Sequence, residues 1–214
     1  MRLKKNSYTQ FGIPLVAASP STLAIVAEFI TVVSGLPRSG TSLVMQMLAA
    51  GGMEALTDGV RAADADNPKG YFEFELVKAL PTDHRWLDAA RGKAVKVIHQ
   101  LLPRLPDDRP YRVIFLDRDL DVVLMSQAKM LARSGKRGAA LPAERLKAVF
   151  QQDLVRIHAA LASKPNFHVL RVRHAELIGS PAEQARAINV FVGGHLDEGL
   201  MAAAVDLSLH RNKV

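Results

Sequence analysis

The stretch Gly35-Leu-Pro-Arg-Ser-Gly-Thr-Ser42 has the glycine spacing of a phosphate-binding loop, G-x-x-x-x-G-K-[ST], with Thr41 standing where the lysine belongs. A loop of this shape turns successive backbone N–H groups toward an anion and sets it on a helix N-terminus. The exchange at Thr41 keeps the anion site and removes the cation that serves a nucleoside triphosphate, while Arg38 brings a positive charge into the turn. A second pair lies far along the chain: Arg118, and Ser126 eight residues later. If a helix starts near Leu120, Ser126 is roughly 9 Å along it, so an arginine reaching over the helix start can share an anion with the hydroxyl. The competing reading is that Arg118 pairs with Asp117, Asp119 or Asp121 at an element end.

These residues need elements to hold them. Phe29 to Ser34 is a short, β-branched, apolar run followed at once by turn residues, which predicts a buried strand. Leu43, Val44, Met47 and Leu48 recur at helical spacing, and Gly51-Gly52 closes that pattern. Ala94 to Ile98, Tyr111 to Leu116 and Phe167 to Val172 are three further strands. Between them the pattern predicts a helix with Asp119 and Asp121 in its first turn, Lys129 and Arg133 in its last, and an apolar face of Leu120, Val123, Leu124 and Leu131. A long amphipathic helix after Pro142 is expected to bury Leu146, Val149, Phe150, Leu154, Ile157 and Leu161. Ser180-Pro-Ala-Glu183 reads as a capping box with proline at the first helical position, and Gly193-Gly194 ends that helix. Strands separated by helices predict an α/β fold, a P-loop-type three-layer α/β/α domain with a mostly parallel central sheet. Ligands of such sheets gather at the carboxyl ends of the strands.

A chain of 214 residues suits one α/β domain, with an expected arm at residues 1–20 and an irregular segment, 53–92, placed to meet an acceptor. Its 49% apolar and 23% charged residues are ordinary globular values. Lysine and arginine exceed the acidic residues by 28 to 21, which points to an anionic partner. The low aromatic content, 6%, and the lack of basic-aromatic interleaving argue against single-stranded nucleic acid. No cysteine is present, so there is no disulfide, thiolate metal site or cysteine nucleophile. This accords with a cytoplasmic protein. The apolar run behind Arg2, Lys4 and Lys5 is short and contains Pro14, and no run reaches the length of a membrane span.

Taken together, Pro37-Arg-Ser-Gly-Thr-Ser42, the pair Arg118 and Ser126, and Val172-Arg-His-Ala-Glu-Leu-Ile-Gly-Ser-Pro-Ala-Glu183 resemble the sulfotransferases that use 3′-phosphoadenosine 5′-phosphosulfate (PAPS). The likeness spans about residues 30 to 194. Its loop is most similar to the tyrosylprotein and bacterial branches, because the cytosolic enzymes carry lysine where Arg38 stands. The resemblance implies that Pro37, Arg38, Ser39, Gly40, Thr41 and Ser42 hold the 5′-phosphosulfate, and that Arg118 and Ser126 hold the 3′-phosphate. It further implies transfer to a hydroxyl or amine of a small-molecule or peptide acceptor, adenosine 3′,5′-bisphosphate as product, and no required metal. For the group that takes the acceptor's proton, the family offers two patterns. Lys96 and His99 resemble a lysine and histidine on the second strand, although two residues separate them here where the family has one. Asp58, with Arg61 as a possible partner, stands where the arginine-loop branch has a glutamate; Glu73 competes because its turn would re-enter the cleft. The glycine-rich basic motif that closes over the nucleotide in cytosolic enzymes is absent. The basic residues of 210–213, or Lys129, Arg133, Lys136 and Arg137, are its candidate substitutes.

Two other classes remain open at this level. A P-loop kinase or other nucleotide phosphotransferase would use Asp117 to hold Mg²⁺, and a non-catalytic nucleotide-binding module would keep the site without the reaction. Oligomeric state is not legible.

Overall fold

The computed structural model describes residues 28–60, 64, 67, 70–133 and 141–206. The expected arm at 1–20, Arg61, Lys136, Arg137 and the basic residues of 210–213 lie outside them. Its centre is a parallel sheet of β1 (Ile30–Gly35), β2 (Ala94–Lys96), β3 (Tyr111–Asp117) and β4 (Phe167–Arg173), in the order β2-β1-β3-β4. Helix α1 (Thr41–Ala50) leaves β1, α2 (Leu120–Arg133) and α3 (Ala143–Ala162) join β3 to β4, and α4 (His174–Gly179), α5 (Pro181–Phe191) and α6 (Glu198–Ala203) follow. The long connection from α1 to β2 contains two 3₁₀ turns, Glu75–Ala79 and Arg85–Ala90, and a third, His99–Arg104, follows β2.

Side chains alternate across the strands, so each face of the sheet builds its own core. Ile30, Val32, Val113 and Phe115 pack on one side with Ile157 and Leu161 of α3 and with Trp86 and Leu87 of the connection. On the other, Val33, Ile114 and Leu116 meet Val44, Met47 and Leu48 of α1 and Ile188 of α5. This is the three-layer α/β arrangement that the alternation of apolar strands and helices predicts.

The register matters for function. Gly35 lies opposite Leu116 and Val33 opposite Lys96. The chain runs from β1 outward to β2, then crosses back to β3 on the other side of β1. The carboxyl end of β1 is therefore a topological switch point, where open α/β sheets bind ligands. The loop after β1 is flanked by Lys96 on one side and by Arg118 on the other.

Several boundaries differ from expectation. β2 ends at Lys96 rather than Ile98, and His99 opens a 3₁₀ turn instead of continuing the strand. In α3 only Ile157 and Leu161 are fully buried; Val149 is exposed and Leu154 half-buried. The cause is length: twenty residues of helix span about 30 Å, whereas a seven-residue strand covers about 23 Å, so part of the helix overhangs the sheet. In α2 the fully buried residues are Val122, Val123 and Ser126; of the expected face Val123 is buried, while Leu120, Leu124 and Leu131 are half-buried. Asp119 caps that helix by accepting from the N–H groups of Asp121 and Val122. Ser180 precedes α5 and Pro181 opens it, but the serine side chain makes no capping hydrogen bond. No helix among the described residues is long and apolar enough to cross a membrane.

Burial pushes the imidazoles of His99, His158 and His195 below their ordinary value. The unfolded chain then binds protons that the folded one refuses as the pH falls below about 6.5, so stability declines on acidification. We expect the thermal midpoint to fall between pH 7 and 5.5, and His99→Met to remove part of that fall. An unchanged slope in the variant would show that His99 does not contribute.

Candidate active site

The loop after β1 is built by two conformational constraints. Ser39 N–H donates to the Leu36 carbonyl at 3.1 Å, closing a turn with Pro37 and Arg38 at its centre. Proline presets the first central position of a type II turn, and the second requires positive φ. Arg38 occupies that second position at φ 71°. A long side chain there is uncommon and strained, a condition that clusters at functional sites. Gly40 follows at φ 108°, and a Cβ on it would lie 2.6 Å from His174 Cδ2, so only glycine fits beneath that imidazole. Leu43 and Val44 N–H groups return to the Gly40 carbonyl. This leaves the amides of Gly40, Thr41 and Ser42 without a backbone acceptor among the described residues, at the N-terminus of α1. Such a cradle suits an oxyanion.

Two guanidinium groups converge on it. Arg38 Nε donates to Ser126 Oγ at 3.1 Å, and Arg118 Nη1 donates to the Arg38 carbonyl at 2.7 Å. Arg118, Arg38 and Ser126 thus form a relay, with Arg38 in the middle. Ser126 is 4% exposed. Asp117 pairs with Arg171 at 2.8 Å, Asp119 caps α2 and Asp121 takes Lys147, so each candidate acidic partner of Arg118 is engaged elsewhere. Neither Arg38 nor Arg118 forms an ion pair among the described residues. Burial, and then the charge of Arg38, push the Arg118 guanidinium below its ordinary value. Partly buried, mutually repelling cations call for an anion between them.

On the opposite flank, Lys96 Nζ donates to the Tyr71 carbonyl at 3.0 Å and to Ser42 Oγ at 3.3 Å, and lies 3.8 Å from Glu73 Oε1. Ser34 Oγ holds the chain beyond β2 by donating to the Val97 carbonyl at 2.7 Å. An amine thus reaches the loop's last serine from the neighbouring strand, although Thr41 replaces the lysine within the loop. Loop, cations, Lys96 and Glu73 all line one cavity of about 950 Å³, within the size range of ligand sites.

The other two candidates for the base lie elsewhere. His99 is 3% exposed, buried at the start of the 3₁₀ turn and outside the cavity lining. Asp58 is exposed and also outside the lining; the N–H groups of Glu75 and then Val60 hold its carboxyl below the ordinary carboxylate value. His174 at the start of α4 and the Tyr71 carbonyl belong to the site without having been expected there. The join of a buried strand to a capped helix at Val172-Arg-His174 is the only sequence signal for the former. Lys129 and Arg133 line the cavity along the same face of α2 as Ser126.

No family model and no curated protein matches the chain. Among solved structures it is similar to the sulfotransferase domain of the Synechococcus olefin synthase, at 17% identity over 86% of this chain and 83% of that one, with a TM-score of 0.49. It is also similar to a sulfotransferase from Alicyclobacillus acidocaldarius (16% identity, 86% of this chain and 96% of that one, TM-score 0.46). An unliganded sugar kinase from Janibacter sp. aligns at 15% identity over 82% of this chain and 97% of that one, with a TM-score of 0.39.

Proposed function

We propose that this protein transfers a sulfuryl group from PAPS to a hydroxyl or amine of a small-molecule or peptide acceptor, leaving adenosine 3′,5′-bisphosphate. The observation that carries the reading is the relay of Arg38, Arg118 and Ser126, with two cations and no carboxylate paired to them among the described residues, on a phosphate loop that lacks its lysine. A nucleoside triphosphate needs that lysine and a divalent ion at its β- and γ-phosphates. A phosphosulfate has no γ-phosphate, and its sulfuryl group carries less charge than a phosphoryl group. The amides of Gly40, Thr41 and Ser42 fit the 5′-phosphate, Arg118 and Ser126 the 3′-phosphate, and Arg38 the bridging and sulfuryl oxygens as charge develops on them. The acceptor oxygen or nitrogen bonds to sulfur while the bond from sulfur to the bridging oxygen breaks. Glu73 takes the acceptor's proton, and the bridging oxygen departs with the 5′-phosphate. Lys96, between Glu73 and Ser42, links the base to the phosphate loop. The rival phosphotransferase reading would use Asp117, which is held by Arg171 and does not line the cavity.

The test is a thermal-shift titration with adenosine 3′,5′-bisphosphate against ATP with and without Mg²⁺. Stabilisation by the bisphosphate is expected; preferential stabilisation by ATP with Mg²⁺ would sink the proposal. Arg118→Ala should weaken the bisphosphate by roughly 10- to 100-fold, the worth of a charge-assisted contact, and adenosine 5′-phosphate much less. Equal losses for both ligands would give Arg118 a purely structural role.

A further inference from the structure

The segment that carries Glu73 is held in an unusual way. Phe72, immediately before it, has φ 53°, a left-handed conformation that a bulky residue adopts only when its surroundings enforce it. On the near side, the Tyr71 carbonyl is held by Lys96 at 3.0 Å and Ser42 Oγ at 3.5 Å. On the far side, Thr57 Oγ1 and Asp58 N–H both donate to the Glu73 carbonyl, at 2.8 and 3.3 Å. The Asp58 carboxylate accepts from Glu75 N–H at 2.6 Å and from Val60 N–H at 3.1 Å. Two short segments, 57–60 and 71–75, are thus clasped together on either side of Glu73, with the strained Phe72 between the two sets of anchors.

We propose that Asp58, with Thr57, is a positioning residue: its carboxylate clasps the backbone around Glu73, and that clasp keeps the Glu73 side chain against Lys96 inside the cavity. Each Asp58 oxygen accepts a backbone amide that no other acceptor serves among the described residues. A proton acceptor needs a lone pair aimed at substrate, whereas these oxygens are turned to the chain and the residue lies outside the cavity lining. The clasp offsets the strain at Phe72; without it the segment is free to relax about that residue and withdraw the carboxylate. The inference rests on the sulfuryl-transfer reading for what Glu73 does, but the clasp can be tested without an acceptor.

The readout is the Lys96 amine. Its acylation by an amine-directed reagent, followed across pH by peptide mass spectrometry on the full chain, reports the pH at which it loses its proton. A carboxylate within 4 Å raises that midpoint. Glu73→Gln should lower it by about one pH unit. Asp58→Ala should lower it similarly, because Glu73 is released, while Asp58→Asn, which keeps one acceptor oxygen, should fall between Asp58→Ala and the parent. In the Glu73→Gln background, Asp58→Ala should add nothing, since residues that act through one another are not additive. An unmoved midpoint in Asp58→Ala, or shifts that add in the double variant, would overturn the proposal. Thermal-shift titration with adenosine 3′,5′-bisphosphate runs alongside: no stabilisation of the parent protein would count against the donor assignment, while the labelling result would still decide the clasp.

Discussion

Arg38→Gly is expected to reduce sulfuryl transfer by about 10²- to 10³-fold, as loss of one preorganised charge-stabilising group does, without destabilising the fold. The two halves of this result have separate causes. Arg38 sits at the second central position of a type II turn at φ 71°, where an L-residue is strained by roughly 1 kcal/mol and glycine is not. Glycine's own entropic cost offsets only part of that relief, and loss of the Ser126 contact offsets more, so the net change is small. The bond from Arg118 goes to the Arg38 backbone carbonyl and survives the substitution, whereas the Arg38 contact to Ser126 is lost. Arg38→Ala is the informative comparison, because it removes the guanidinium and keeps the strain. Both variants should lose transfer alike, and the glycine variant should be the more stable. If Arg38→Gly instead loses more than about 2 kcal/mol, a range typical of buried-network losses, Arg38 is a structural residue of the loop and the catalytic assignment fails. Transfer is read as conversion of PAPS to adenosine 3′,5′-bisphosphate, and stability as the thermal midpoint.

The arginine could be singled out from sequence because a phosphate loop is contiguous: its glycines, its proline and the helix that follows fix the backbone within a few residues. The sheet was legible for a similar reason, since each strand is a short apolar run bounded by turn residues. Helical rise predicts only that Arg118 and Ser126 lie near one another; the structure adds what no local rule contains, that Ser126 takes Arg38, 88 residues away, while Arg118 donates to the Arg38 carbonyl. That contact depends on Gly35 lying opposite Leu116 in the sheet. The choice among Asp58, Glu73 and His99 was illegible for the same reason. All three fall in or beside irregular chain, where the direction of a side chain is set by distant partners: Glu75 and Val60 for Asp58, Lys96 for Glu73, and the packing at the start of a 3₁₀ turn for His99. The overreach in α3 has a different origin, because periodicity marks an apolar stripe but not how much of it the sheet is long enough to cover.

Glu73→Gln is expected to produce the other large loss, about 10²- to 10⁴-fold in the transfer rate, the range that a positioned general base supplies. Binding of adenosine 3′,5′-bisphosphate should remain near the parent value, because Glu73 is across the cavity from the relay of Arg38, Arg118 and Ser126 and contributes no donor to an anion. The isosteric amide keeps the volume and loses the ability to take a proton. The substitution removes a negative charge 3.8 Å from Lys96 but not that amine's bonds to Ser42 and the Tyr71 carbonyl, so the phosphate loop should keep its flank. His99→Gln and Asp58→Asn discriminate the alternatives. The buried imidazole of His99 does not line the cavity, and its replacement should leave the rate within a few-fold of the parent, whatever it costs in stability. Asp58→Asn should lower the rate only in part. A rate that survives Glu73→Gln but collapses in either of the other variants would move the base to that residue, and would require the exposed loop or the 3₁₀ turn to rearrange when substrate binds.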